Sequence, residues 1–215
     1  MHPVVLASLL DPTSLIEKGG LLLLGLLVFA ESGLFFGFFL PGDSLLFVAG
    51  FLSSDAGGNH LPPLPVVWVV VFVAAVLGDQ VGFWFGRKVG PALFSRPDSR
   101  FFKQQYVAKA HTFFERHGAK TIVLARFVPV VRTFAPIVAG VSNMKYRTFV
   151  IYNIVGGFLW AVGLTTAGYF LGQIDWVKNN IEIAIVAIVG VSLVPVAIEF
   201  IRHRREAQRT LADAE

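Results

Sequence analysis

Residues 31–50 read ESGLFFGFFLPGDSLLFVAG, inside an apolar run from Gly19 to Leu52 whose only charged residues are Glu31 and Asp43. A helix rises about 1.5 Å per residue and a bilayer core is about 30 Å thick, so the run is too long for one span and too short for two. In its middle stands Pro41-Gly42, the strongest helix breaker of the region. The simplest geometry is two half-helices meeting at Pro41-Gly42 within the membrane, a re-entrant loop over 19–54. Bare backbone and carboxylates cannot face lipid, so such a loop must line a protein cavity or polar pathway.

The totals agree with a membrane setting. Of 215 residues, 55% are hydrophobic and only 15% charged, and the mean hydropathy is +0.68. Soluble domains carry nearer a quarter charged residues. The length suits one membrane domain over 1–215. With no cysteine there is no disulfide framework and no thiolate nucleophile or ligand. The first residues, MHPVVLASLLDPTS, lack the basic n-region of a cleaved signal peptide, so no cleavage is expected there. The sequence pI near 9.6 points to a membrane surface and not to nucleic acid, because the basic residues alternate with apolar spans.

Working outward, 3–18 reads as a short interfacial helix and 64–87 as a span containing Asp79. Glycines 78, 82 and 86 in that span would let a second helix approach closely. Residues 87–120 hold eight basic residues against Asp98 and Glu115, and a basic amphipathic helix on the cytoplasmic surface is expected over 92–117. A second broken apolar segment, 119–141, carries Arg126 and Arg132 and is interrupted by Pro129 and Pro136. Spans are expected over 146–172 and 181–201, followed by a basic cytoplasmic tail, 202–215. The distribution of Lys and Arg puts 87–120, Lys145/Arg147 and the tail in the cytoplasm. These placements agree if 119–141 is also re-entrant and the two loops enter from opposite faces. Crossing of the membrane by 19–38 is the alternative for the N-terminal side.

The halves echo one another. Each has a lead-in, a Pro-broken loop ending in Ala-Gly (Ala49-Gly50, Ala139-Gly140) and a span. The spans end alike, Gly82-Phe-Trp-Phe-Gly86 against Gly168-Tyr-Phe-Leu-Gly172. Paired discontinuous helices in an inverted repeat point to a transport site near the midplane. The expected fold is therefore an all-α integral membrane protein, a bundle with two opposed re-entrant hairpins plus interfacial amphipathic helices.

Charge at the bilayer centre costs roughly 2.5–3.5 kcal/mol per group on insertion scales. Packing the loop tips together would set Glu31 and Asp43 against Arg126 and Arg132. An arginine fork suits a phosphate, and a carboxyl in a dry cavity can carry a proton. Two roles are open for these four residues, an anion-plus-proton site and a structural cluster joining the loops. Asp79 reads as a packing or polar-lining residue, and Asn153 as a partner for nearby backbone or a path-lining group. Pro41, Gly42, Pro129 and Pro136 read as loop breaks. Trp68, Trp84, Trp160 and Trp176 read mostly as interface aromatics. No zincin, nucleophile-elbow, phosphate-loop or dinucleotide motif occurs, and no histidine falls in an expected span, so no catalytic residue, metal or cofactor is expected.

Five motifs together carry a resemblance: E-S-G-x-x-x-G-x-x-L-P-G-D-x-x-L-x-x-A-G (31–50), G-D-x-x-G-x-x-x-G (78–86), H-G-x-K (117–120), R-F-x-P-x-x-R-T-x-x-P-x-x-A-G (126–140) and N-x-x-G-x-x-x-W (153–160). Over about 15–200 the chain resembles the bacterial DedA family, within the superfamily of SNARE-associated Golgi-type (VTT-domain) membrane proteins. The resemblance implies an inner-membrane protein acting in membrane-lipid homeostasis. Some members return undecaprenyl phosphate across the membrane, and eukaryotic relatives look like phospholipid scramblases. It also implies dependence on an acid pair and an arginine pair, which fall on Glu31, Asp43, Arg126 and Arg132. Proton or potential coupling through the acids, with phosphate binding by the arginines, is the mechanism expected from the residues themselves. The expected function is a flippase for a polyprenyl phosphate, with membrane lipids as partners and a homo-oligomer open. The alternatives are an energy-independent phospholipid scramblase, a non-transporting partner of envelope enzymes and a lipid-phosphate enzyme.

Overall fold

The computed structural model describes residues 12–33, 42–94 and 118–181, with single positions 112, 114, 183, 186, 187 and 190. The expectations for 3–11, for Pro41, and for most of 92–117, 181–201 and all of 202–215 lie outside the described residues.

Regular structure among the described residues is helical throughout. Helix α1 spans Pro12–Gly33 and bends at Gly20, whose φ of 57° is one that glycine adopts readily and other residues do not. The lead-in and the apolar arm are thus two helical segments joined at a non-helical kink at Gly20. Helix α2 spans Gly42–Leu52, and a turn closed by Leu61 N–H donating to Leu52 O leads to α3, Leu64–Phe94. Helix α4 is the short Thr121–Ala125, α5 is Pro129–Val141, α6 is Tyr146–Leu171 and α7 is Asp175–Asn179.

Two prolines behave differently in the second broken segment. The interruption falls at Arg126–Val128, and Pro129 follows as the first residue of α5, where its missing N–H is no loss. Pro136, expected to break the segment, lies inside α5 without ending it. Its ring carries no N–H, so the carbonyl of Arg132 loses its i+4 helical donor. The first span also runs past its expected end at 87, and α3 takes in 92–94.

Length separates the helices into two classes. The 31 residues of α3 and the 26 of α6 exceed a bilayer core, and the apolar stretches Leu64–Gly90 and Tyr146–Leu171 meet the requirements of a span. The apolar stretches Gly19–Gly33, Gly42–Leu52 and Val131–Val141 are shorter, roughly 16–22 Å at 1.5 Å per residue. Large apolar side chains are exposed in rows: Val66, Val69, Val73, Leu77 and Val81 on α3, and Ile151, Ile154, Val155 and Phe158 on α6. Glu31, Asp79, Arg126 and Asn153 are buried instead. Apolar outside and charged inside is the polarity of a protein solvated by lipid.

The two halves use one pairing scheme twice. The first arm of each broken segment lies on the span of its own half, α1 on α3 and α4 on α6. The second arm lies on the span of the other half, α2 on α6 and α5 on α3, and the spans pack on each other. Glycines make both crossed contacts. A Cβ at Gly50 would overlap the Thr165 carbonyl and one at Gly168 that of Phe47. In the other half, Gly140 meets the Phe83 carbonyl and Gly86 that of Ile137 in the same way. By contact, Gly86 therefore corresponds to Gly168. The sequence match of Gly82/Gly86 to Gly168/Gly172 is one helical turn out of register, since glycines every fourth residue align with themselves after a shift of four.

Candidate functional site

Arg132, in the second turn of α5, projects into the other broken segment. Its guanidinium bonds Glu31 near the end of α1 through Nη2 and Asp43 in the first turn of α2 through Nη1. The planar fork suits this double duty, because it offers parallel donors to two acceptors at once. Asp43 is placed there by helix initiation, for an acid is favoured in a first turn. Gly42 has a further role besides breaking the helix: any Cβ there would overlap the Glu31 carboxylate. Trp160, on α6, completes the constellation. Its indole Nε1 donates to Asp43 Oδ1 at 2.8 Å, and the Arg132 guanidinium lies 4.8 Å from its ring centroid.

Burial is unequal within the group. The Glu31 side chain is 2% exposed, against 11% for Arg132 and 12% for Asp43. Glu31 Oε2 has no hydrogen-bond partner among the described residues. With all three groups ionised, the site holds one negative charge in excess.

Arg126 forms a separate centre. It follows the last residue of α4, and its Nη2 donates to Asp79 Oδ2 on α3 and to Asn153 Oδ1 on α6, the latter at 2.5 Å. Asn153 in turn donates through Nδ2 to the Val76 carbonyl at 3.2 Å, which fixes which end of its amide faces the arginine. Gly156 and Gly157 lie against the Arg126 side chain and give the guanidinium its room. One arginine here meets one carboxylate, so charge is balanced and a ring of polar contacts ties the second broken segment to both spans.

The expected group of four acids and arginines is thus two centres. Glu31, Asp43 and Arg132 meet; Arg126 pairs with Asp79 and Asn153. Asp79, expected as a packing or polar-lining residue, joins a charged centre, and Asn153 contacts both backbone and arginine. Pro136 packs near Gly82, and a Cβ at that glycine would lie 3.4 Å from the proline ring. Trp160, read from sequence as an interface aromatic, is buried at 3% exposure, whereas Trp84 and Trp176 are exposed. A signal was present: Asn153, Gly156, Gly157 and Trp160 fall at i, i+3, i+4 and i+7, one face of a helix. His111 and His117 lie outside the described residues, and among the described residues no group of three His, Cys, Asp or Glu could hold a metal ion.

The chain is similar to known proteins. The VTT domain family matches residues 40–170. The chain is 51% identical to the Protein DedA of Escherichia coli K12 over 187 residues, covering 87% of this chain and 84% of that protein. It is 45% identical to an uncharacterized membrane protein of Mycobacterium leprae, covering 96% and 94%, and 35% identical to the inner membrane protein YqjA of Escherichia coli K12, covering 68% and 65%. No solved structure matches.

Proposed function

The chain belongs to the DedA family of VTT-domain membrane proteins, and from that premise we propose that it carries a lipid with a phosphate headgroup between leaflets, a polyprenyl phosphate such as undecaprenyl phosphate. One observation supports this above all: Arg132 lies between two carboxylates from the other broken segment, in a group that is slightly open. A phosphate is the anion best able to compete for such a fork, since it offers the same bidentate geometry with more charge.

Exchange then follows from charge. One guanidinium cannot hold two carboxylates and a phosphate together, so the headgroup displaces an acid as it binds. A carboxylate left fully buried with no cation beside it does not stay ionised, and it takes up a proton. Lipid movement and proton movement are linked in this way through the acid pair Glu31 and Asp43. Arg126 serves the same site from behind, anchoring the second segment through Asp79 and Asn153.

The short broken helices are the two opposed re-entrant hairpins of an inverted repeat, and the exchange takes place where they meet. The protein acts in a bacterial inner membrane with its basic C-terminus in the cytoplasm. It transports without a cofactor, and chemistry on the lipid is not part of the cycle. Proteoliposomes carrying labelled undecaprenyl phosphate test this. Transfer should follow an imposed pH gradient, and Glu31→Gln should flatten that response. Gradient-independent movement of ordinary phospholipids would make it a scramblase, phosphate release an enzyme, and no lipid movement a partner protein; each overturns the proposal.

A further inference from the structure

We infer that Trp160 is a positioning residue that keeps Asp43 ionised through the exchange, so that phosphate arrival at Arg132 is matched by one proton, carried by Glu31. The inference rests on the transport reading above and divides the labour between its two acids.

The two carboxylates are held differently. Asp43 Oδ1 accepts from two donors on different elements, Arg132 Nη1 on α5 and Trp160 Nε1 on α6. Glu31 accepts from Arg132 and has the Gly42 backbone N–H of its own neighbouring helix beside it, while its second oxygen has no partner among the described residues. When a phosphate takes the guanidinium, Asp43 retains the indole N–H, a hydrogen bond strengthened by the charge of its acceptor. Glu31 loses its arginine donor in the most buried position of the three, where an unpaired carboxylate is costly. The proton therefore goes to Glu31, arriving from water as the headgroup enters and leaving as it departs.

Arg126 and Asp79 also lie within electrostatic reach of Arg132, and their opposite charges offset one another there. Facing Glu31 are Arg132 from α5 and Asp43 from α2; Asp79 of α3 is taken by Arg126. Helix α6 brings Trp160 and Asn153 to the two centres, neither of them charged. The Trp160 ring meanwhile lies over Arg132 and holds the guanidinium in place while its partners change. Helix α6 supplies this reference from outside both broken segments, so the indole need not move when they do.

Proton counting tests the inference. Full-length protein in mixed micelles is titrated with undecaprenyl phosphate in weak buffer near pH 8, above the second phosphate pKa of about 6, and protons taken up per lipid bound are read with an indicator dye. Wild type should take up one, Asp43→Asn one, Glu31→Gln none, and Trp160→Phe, which keeps a ring over Arg132 but removes the N–H, should approach two. An unchanged count of one for Trp160→Phe, or a count of one for Glu31→Gln, overturns the inference and leaves phosphate binding intact. Failure of the wild-type protein to bind the lipid overturns the transport reading itself.

Discussion

Gly50→Ala should separate α2 from α6, and the geometry says by how much. The new Cβ would overlap the Thr165 carbonyl oxygen and stand 2.8 Å from both the Thr165 carbonyl carbon and the Tyr169 nitrogen, whereas ordinary contact begins near 3.4 Å. The atoms in the way are backbone, so no rotamer change relieves them, and clearing the overlapped Thr165 oxygen parts the helices by roughly 1 Å or more at this crossing. Overpacking of this kind costs about 1–3 kcal/mol. In lipid the loss is felt fully, because close packing is a main force holding such helices together. Gly168→Ala acts at the same crossing through the Phe47 carbonyl. Once one alanine has parted the helices the second has less to do, so the double variant should fall well short of the sum. Gly50→Ala with Gly140→Ala affects two different crossings and should add. Gly163, on the same helix α6 with nothing within 4 Å of its Cβ position, is the control; alanine there should be neutral or stabilising by about 0.5–1 kcal/mol. The assay is thermal unfolding in detergent, followed by fluorescence-detected size exclusion. Equal melting of Gly50→Ala and Gly163→Ala would refute the close crossing.

Two further substitutions probe the charged centres. Arg126→Ala leaves Asp79 buried without its cation and should destabilise by about 3–5 kcal/mol, whereas the double replacement Arg126→Leu with Asp79→Leu should recover part of that in the same melting assay; a double variant no better than the single would deny the pair. Arg132→Lys keeps the charge but replaces the planar fork with a point cation. It should leave a folded, monodisperse protein and lower lipid-phosphate transfer at least tenfold, and full transfer would show that the fork is not needed.

Local features of this chain were legible before its contacts. Excess apolar length around Pro41-Gly42 and the basic residues between apolar runs are properties of neighbouring residues, and they sufficed for an all-helical membrane protein. The pairing of Arg132 with the acids of residues 31–50 was also within reach, since intramembrane charges must find partners. Which acid meets which arginine was not. Glu31, Asp43 and Asp79 are all acids in apolar stretches, and only the docking of α4 on α6 brings Arg126 to Asp79 of α3. Pro136 misled because a proline inside a helix and one that ends it differ in surroundings, not in sequence. Trp160 was hidden by a sound prior, for most membrane tryptophans do lie at the interface.

The crossed docking of the broken segments has a consequence for how the molecule is made. Helix α2 leaves the ribosome long before α6, the helix that covers its glycine face, and at 5–20 residues per second the wait is roughly 5–20 s. Through that interval Asp43 has neither Trp160 nor Arg132, and Glu31, Asp43 and Asp79 all await arginines of the second half. Insertion of the first half is therefore provisional. Until the second half is made, those acids are spared the cost of burial only by staying protonated or near water, and the crossed docking settles both halves together.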